Sequence, residues 1–268
     1  MEALHEVHAA VNHAGLELHR RAGRVPGRSA GHTFEPYPGQ AQQATKSQFD
    51  EGVSFAKLVH EETLDFSECN LVNRDLAGLN ALVTHAEMKV KRRSLRLDGN
   101  TLVTAQAWEQ KLPKVVVNGS LTSLNLSESS LGPEGGAAVA EALKVKSSLT
   151  SLYVGRNKIG DEGTKAMAAA LAVNISLTSL DLGYNNIGDE GAKAIGAALP
   201  VNGSLTILYL GYNEIGDEGA KAIGAALAVN VSLTSLTLVS NIIDQEGEAL
   251  LKDAAHARLT LYFANTAD

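Results

Sequence analysis

A block of 28 residues recurs along the chain from Ser120 onward. The copy that begins at Ser176 reads SLTSLDLGYNNIGDEGAKAIGAAL; close copies begin at Ser148, Ser204 and Ser232, and a looser one begins at Ser120. A fixed period of this length is typical of repeat architectures, in which each unit buries its apolar side against its neighbours. The repeat therefore limits the possible folds more than any other feature of the sequence.

The apolar spacing changes character within each unit. Leu180 and Leu182 are two residues apart, as in a short strand whose alternate side chains face a core. Beyond a turn at 188–191 the apolar residues follow helical spacing: Ala194, Ile195, Ala198 and Leu199. We therefore predict a strand, a turn, a helix and a loop in every unit, with Asp189 as the N-cap of the helix in its own unit.

The same repeat pattern continues upstream and downstream of these copies, with a weaker match to the motif. Upstream, the strand pattern recurs at 64–71, 95–102 and 124–131, and 50–59 resembles the helical half of a degenerate first unit. Downstream, 259–263 has the pattern of a truncated closing strand. We predict a repeat domain over residues 47–268, with seven repeat strands, one closing strand and irregular units at both ends.

Residues 1–46 do not follow the repeat. Residues 2–20 favour a short helix, and 23–39 contains three prolines and four glycines, as in an extended linker. Four arginines, Arg20, Arg21, Arg24 and Arg28, make the N-terminal linker basic within an acidic protein. The pattern fits either an arm that docks on another surface or a solvated tail.

The repeat motif resembles a known family. L-x-x-L-x-L-x-x-N-x-I followed by G-D-E-G-A at a 28-residue period is similar to the ribonuclease-inhibitor-type leucine-rich repeat, as in ribonuclease inhibitor, NOD-like receptor sensor domains and Ran GTPase-activating proteins. The resemblance covers roughly residues 50–263. It implies an α/β fold, a right-handed horseshoe of about seven to eight repeats with a parallel β-sheet on the concave face and helices on the convex face.

The resemblance also implies a buried ladder of side chains that satisfy backbone groups where each strand ends. The matching positions are Asn100, Asn157, Asn185, Asn213 and Asn241. Cys69 stands at the same position, where the family often carries cysteine. Ser129 departs from the pattern, so we expect the ladder to be weaker there.

Charge and composition exclude several functions. The chain has 23 Lys and Arg against 30 Asp and Glu, a net charge of -7, which argues against a sequence-independent grip on nucleic acid. One cysteine permits no intrachain disulfide and fits a reducing compartment, so we expect a cytoplasmic protein, or an organellar one after removal of a presequence. No run of 18 apolar residues is present, so we expect no membrane insertion.

Strand alternation identifies the side chains that point to the concave face. Six of them form the predicted partner-binding patch: Tyr153, Arg156, Asp181, Tyr184, Tyr209 and Tyr212. Tyr and Arg are the residues most often found at binding hot spots. We expect the glycines between them to leave the backbone accessible. The alternative is that duplication of near-identical units alone placed Tyr184 and Tyr212.

Other chemistry-bearing residues have structural explanations. The acidic pairs at 161–162, 189–190 and 217–218 each precede a lysine at helical spacing, which indicates helix-start capping and ion pairing. Four histidines near the N-terminus match no zinc module, and four of the five Asn-x-Ser sequons recur with the repeat, so that we interpret the sequons as loop and turn residues. We therefore predict no enzymatic activity, no cofactor and no metal.

The sequence thus favours a protein–protein interaction module that binds a partner protein on its concave sheet. One alternative is an accessory structural subunit of a larger assembly, anchored by residues 1–46. A second alternative, suggested by the family resemblance alone, is a GTPase-activating protein of the Ran-activator type.

Overall fold

The computed structural model describes residues 43–44, 63–68, 71, 73, 93–101, 103–104, 106–108, 110, 121–145, 148–255 and 257–263. Four predictions lie outside these ranges: the helix within 2–20, the linker at 23–39, the helical half-unit at 50–59 and Cys69 in the ladder.

One parallel sheet runs through the described residues, with its strands in sequence order. The strands are β1 (Gln43–Ala44), β2 (Thr63–Asp65), β3 (Arg93–Arg96), β4 (Leu121–Asn125), β5 (Ser151–Tyr153), β6 (Ser179–Asp181), β7 (Ile207–Tyr209), β8 (Ser235–Thr237) and β9 (Thr260–Tyr262). β9 is the closing strand that the sequence predicts. β1 pairs with β2 and falls inside the N-terminal extension, where the sequence predicts no strand.

Helices return the chain from one strand to the start of the next. They are α1 (Gly132–Lys144), α2 (Gly160–Leu171), α3 (Asp189–Ala198), α4 (Asp217–Leu227) and α5 (Gln245–Ala254). A helical crossover is the usual way to keep consecutive strands parallel. The unit of strand, turn, helix and loop is as the sequence predicts. No helix among the described residues is long and apolar enough to cross a membrane.

The core lies between the sheet and the helices. Leu152, Leu180 and Leu208 sit at the centres of successive strands and are at most 1% exposed. Ile195 and Ile223 cover them from the helical side and are fully buried. Each such side chain stabilises the fold by about 1.5–3 kcal/mol on leaving water, and the leucine layer repeats with every strand. Stacked repeats therefore supply the core that a single unit lacks.

The asparagine positions form a ladder beside the ends of the strands. The Asn185 carboxamide oxygen accepts hydrogen bonds from the backbone nitrogens of Asn157 (3.0 Å) and Ile159 (3.3 Å) in the preceding repeat. Its amide nitrogen donates to the carbonyl oxygens of Val154 and Gly183. Each asparagine thus satisfies backbone groups in two repeats that neither strand nor helix can pair.

At Ser129 the ladder has a shorter side chain. Its hydroxyl lies 3.1 Å from the carbonyl oxygen of Leu97 and 3.2 Å from that of Ser127. A hydroxyl has one hydrogen to donate, whereas a carboxamide has two hydrogens and an acceptor oxygen. Ser129 therefore replaces only part of what an asparagine supplies.

The prediction that Asp189 caps the helix of its own unit is wrong. The N-cap of α3 is Gly188, and no side chain caps it from that position. The Asp189 carboxylate instead accepts hydrogen bonds from the backbone nitrogens of Gly216 (2.8 Å) and Gly219 (2.9 Å) in the next repeat. Because α3 begins at Asp189 itself, its side chain projects from the first turn toward the neighbouring unit.

A second asparagine ladder joins the loops between helices and strands. Asn174, Asn202 and Asn230 are 4–6% exposed. The Asn202 amide nitrogen donates to the carbonyl oxygens of Leu171 and Asn174, and its oxygen accepts from the backbone nitrogens of Ser204 and Leu205. These asparagines belong to sequons that the sequence analysis assigned to ordinary loops. The structure makes them buried links between repeats.

Candidate functional site on the open face of the sheet

The face of the sheet that points away from the helices, here called the open face, carries three columns of side chains. The first column is Asp65, Arg96, Asn125, Tyr153, Asp181, Tyr209 and Thr237. The second is Ser67, Asp98, Ser127, Gly155, Gly183, Gly211 and Val239. The third is Glu68, Gly99, Glu128, Arg156, Tyr184, Tyr212 and Ser240. Register pairs Tyr153 with Asp181 and Asp181 with Tyr209 on neighbouring strands, which places side chains of one column about 4.8 Å apart.

The third column has a shared backbone conformation. Arg156, Tyr184 and Tyr212 have φ values of 57°, 56° and 57°, in the left-handed region that non-glycine residues seldom adopt. Glu128 and Ser240 adopt it as well. Because the conformation recurs from repeat to repeat, it belongs to the turn that ends each strand. Its effect is to project successive side chains in the same direction.

Three of the predicted site residues form one continuous stack. The guanidinium carbon of Arg156 lies 4.2 Å from the ring centroid of Tyr184, and the rings of Tyr184 and Tyr212 stack at 4.1 Å with 7° between their planes. Arg156 also lies 3.6 Å from the carboxylate of Glu128. We call Arg156, Tyr184 and Tyr212 the Arg–Tyr stack. Tyr184 is 38% exposed and Tyr212 is 43% exposed, so the stack presents aromatic surface to solvent.

The expectation that the glycines leave the backbone accessible is wrong. Gly183 and Gly211 are buried because the ring of Tyr209 lies across them. A Cβ atom at Gly183 would stand 2.4 Å from Cε1 of Tyr209, and one at Gly211 would stand 2.9 Å from its Cζ. Without side chains these glycines form a trough that the ring fills. The glycines thus leave room for the ring of Tyr209 to pack against the backbone, and the ring covers that backbone.

Asp181 lies in the same trough, one strand away. Its carboxylate accepts a hydrogen bond from the backbone nitrogen of Gly183 at 2.8 Å, and a Cβ atom at Gly155 would meet both carboxylate oxygens at 3.6 Å. Burial raises the pKa of Asp181, while the Gly183 hydrogen bond opposes the rise. Burial also raises the pKa of Tyr209 to about 12, and the negative charge of Asp181 adds to this effect. The phenol of Tyr209 is therefore neutral at physiological pH.

An isoleucine outside the six predicted residues completes the apolar part of the site. Ile207 is 44% exposed and pairs in register with Ser179 on one side and Ser235 on the other. It is thus an apolar residue on the open face where the flanking strands carry serine. That contrast between repeats is visible in the sequence and indicates an exposed apolar contact beside Tyr209.

The structure thus places the six predicted residues on three neighbouring strands and in the turns that end them, with different roles. Arg156, Tyr184 and Tyr212 contact one another. Tyr209 packs over the glycines and beside Asp181. Tyr153 lies opposite Asp181 in register at the end of β5. The result is an aromatic surface with a carboxylate enclosed within it.

Four segments of the chain match a family model described as "Leucine Rich repeat", at residues 117–140, 145–168, 173–196 and 201–224. These units are leucine-rich repeats. The matched segments carry β4 to β7 and the helices that follow them, and the same sheet register continues to β9. Leucine-rich repeats therefore build the part of the sheet that bears the site.

Solved structures resemble the chain at low sequence identity. The actin-binding site 2 of leiomodin-1 is 22% identical, covers 56% of this chain and 84% of its own, and gives a TM-score of 0.44. TLR13 in a complex with ssRNA13 is 15% identical, with 69% and 33% coverage and a TM-score of 0.34. Rad7 in its complex with Elc1 from yeast is 16% identical, with 79% and 77% coverage and a TM-score of 0.31. Among curated protein sequences, none matches this chain.

Proposed function

We propose that the leucine-rich-repeat sheet binds a partner protein on its open face, around the Arg–Tyr stack. The observation that carries this proposal is the stack itself. Two tyrosines and one arginine are aligned, held by ring and cation contacts, and still expose more than a third of each tyrosine to solvent. Rigid aromatic side chains give large contact areas at a low cost in conformational entropy, which is why they concentrate at binding hot spots.

The fold supports the same conclusion. The strands and the ladder fix the backbone beneath the stack, so that little order has to be gained when a partner binds. Tyr209 and Ile207 extend the apolar area next to the stack, while serine, asparagine and charged residues surround it. An apolar centre with a polar rim is the usual composition of a protein interface. By contrast, the aspartates of the acidic pairs at the helix starts cap backbone nitrogens of the next repeat, and two of the neighbouring glutamates pair with a lysine of their own helix.

The experiment compares two matched double variants in affinity capture with quantitative mass spectrometry. Tyr184→Asn with Tyr212→Asn removes both rings, and asparagine tolerates the left-handed backbone at these positions. The control variant, Ser130→Asn with Lys158→Asn, introduces asparagine at two exposed positions outside the open face that have the same left-handed backbone. Thermal denaturation of both variants checks the fold.

We expect the ring-deletion variant to bind its captured partner about tenfold more weakly or worse, because hot-spot residues contribute about 2 kcal/mol or more. The control variant should bind like the wild-type protein. A photo-crosslinking residue at Thr237 should attach to the same partner, whereas one at Ala169 on the exposed side of α2 should not. Equal capture by both double variants would exclude the open face as the binding surface.

A further inference from the structure

Among the residues that the structure describes, the carboxylate of Asp181 on the open face has no cationic partner. The carboxylate of Asp181 is partly buried, and its hydrogen bond comes from the backbone nitrogen of Gly183. Across the residues that the structure describes, no Lys or Arg side chain forms an ion pair with it. A carboxylate that has lost water without gaining a cation is energetically unfavourable, and a bound cation would remove that penalty.

The two guanidinium groups of the open face are already paired. Arg96 lies 2.9 Å from the carboxylate of Asp65 and 3.0 Å from that of Asp98. Arg156 pairs with the carboxylate of Glu128 and lies over the ring of Tyr184. The three columns hold five carboxylates and two guanidinium groups, so that the open face is acidic even after these pairs form. Its charge therefore complements a basic partner.

The surroundings of Asp181 also suit a cation. Tyr153 and Tyr209 occupy the same column on the two flanking strands. Aromatic rings attract a Lys or Arg head group through their quadrupole, and Arg156 already uses this interaction with Tyr184 at 4.2 Å. The carboxylate oxygens of Asp181 lie over Gly155, which has no side chain to contact them. A carboxylate flanked by aromatic side chains is a usual arrangement for selecting a positively charged group.

Building on the proposed function, we propose that the partner inserts a Lys or Arg side chain between Tyr153 and Tyr209 and that its cationic group pairs with Asp181. The Arg–Tyr stack then contacts the partner beside this anchor. The raised pKa of Asp181 fits this assignment, since a cation at the carboxylate brings the pKa back toward its ordinary range. An apolar side chain in the same place leaves the carboxylate buried and unpaired, and an acidic one is repelled.

Nuclear magnetic resonance tests the ligand chemistry on the whole protein without a known partner. The probes are N-acetyl-arginine amide, its neutral analogue N-acetyl-citrulline amide, and N-acetyl-glutamate. The reporters are the backbone amide of Gly183, which donates to Asp181, and the carboxyl carbon of Asp181 itself. We expect the arginine probe to shift both signals saturably and to lower the pKa of Asp181, and the other two probes to leave them unchanged. Equal shifts with the citrulline probe, or none with the arginine probe, overturn the proposal.

Partner capture separates this proposal from the proposed function. Asp181→Asn removes the charge and keeps an oxygen for the Gly183 hydrogen bond, while Glu190→Gln removes a carboxylate on α3, away from the open face, that pairs with Lys193. We expect Asp181→Asn to weaken capture about tenfold or more and Glu190→Gln to leave it nearly unchanged. If Asp181→Asn binds normally while the ring-deletion variant does not, the cation anchor is wrong and the interaction face stands. If both bind normally, both proposals are wrong.

Discussion

The carboxylate of Asp189 lies 2.8 Å from the backbone nitrogen of Gly216, which belongs to the following repeat. Asp161 makes the equivalent bonds to Gly188 and Gly191. Helix starts leave backbone nitrogens unpaired, and a carboxylate there also favours the positive end of the helix dipole. Each repeat thus caps its neighbour, which couples their stabilities.

The exception supports this interpretation. Pro133 stands where the later repeats carry the capping aspartate, and it has no carboxylate to offer Gly160. Gly160 adopts a φ of 63° and donates its backbone hydrogen to the carbonyl oxygen of Asn185. Gly188, which Asp161 does cap, is extended instead. The residue in one repeat therefore determines the loop conformation in the next.

Replacing Asp189 by alanine should lower the free energy of unfolding by about 1 kcal/mol, the usual cost of losing a helix cap. The measurement is urea denaturation followed by circular dichroism. Glu190→Ala is the control, because that exposed side chain pairs with Lys193 at the surface and should cost less than about 0.5 kcal/mol. Equal losses in both variants would contradict the cap between repeats.

Replacing Asn185 by alanine should be more costly, roughly 3 kcal/mol or more. The buried side chain accepts from two backbone nitrogens, which alanine leaves unpaired, and donates to the carbonyl oxygens of Val154 and Gly183, each of which keeps one other donor. Glu214→Gln is the comparison, since the Glu214 side chain accepts an exposed hydrogen bond from Asn186, which glutamine can also accept. Denaturant titration gives both values, and a loss at Asn185 as small as that at Glu214 would argue against the ladder.

Two glycines of the second column should respond differently to alanine. At Gly183 the new Cβ meets the ring of Tyr209 at 2.4 Å, so we expect a loss of about 1–3 kcal/mol. At Gly155 the nearest atom is 3.4 Å away, so a small effect is expected. Adding Tyr209→Ala should remove most of the extra cost of Gly183→Ala in a double-mutant cycle. Additive losses in the cycle would show that the ring is not what Gly183 accommodates.

The raised pKa of Asp181 makes the stability of the protein depend on pH in a predictable direction. Because the folded state binds this proton more tightly than the unfolded state, stability falls as pH rises from the ordinary value of 3.8 through the raised value. Tyr209 faces Asp181 and stays neutral in that window, because its pKa is raised to about 12.

Asp181→Asn should therefore melt at a higher temperature than the wild-type protein at pH 7, and the difference should disappear below pH 3.8. Calorimetry across this range measures it, with Asp98→Asn as the control carboxylate that already has a cation. A variant that is less stable than the wild-type protein at pH 7 would mean that Asp181 is stabilised in its ionised form.

Much of the fold follows from the sequence alone. The 28-residue period and the change from alternate to helical spacing determine the strands, the helices and the parallel order, because each apolar position must face a shared core. The same alternation places Tyr153, Asp181 and Tyr209 in one column. These features depend on local spacing, which a sequence displays directly.

Only the tertiary structure decided which groups in different repeats meet. Three contacts join neighbouring coils or strands. The Asp189 carboxylate caps Gly216, the ring of Tyr209 packs over Gly183, and the buried side chain of Asn202 bonds to the preceding repeat. Such contacts depend on the direction in which a side chain leaves its turn and on the few ångströms between stacked units. The spacing of residues along the chain shows neither of these quantities. The sequence therefore determined the repeat, and the packing of repeats against one another determined the site.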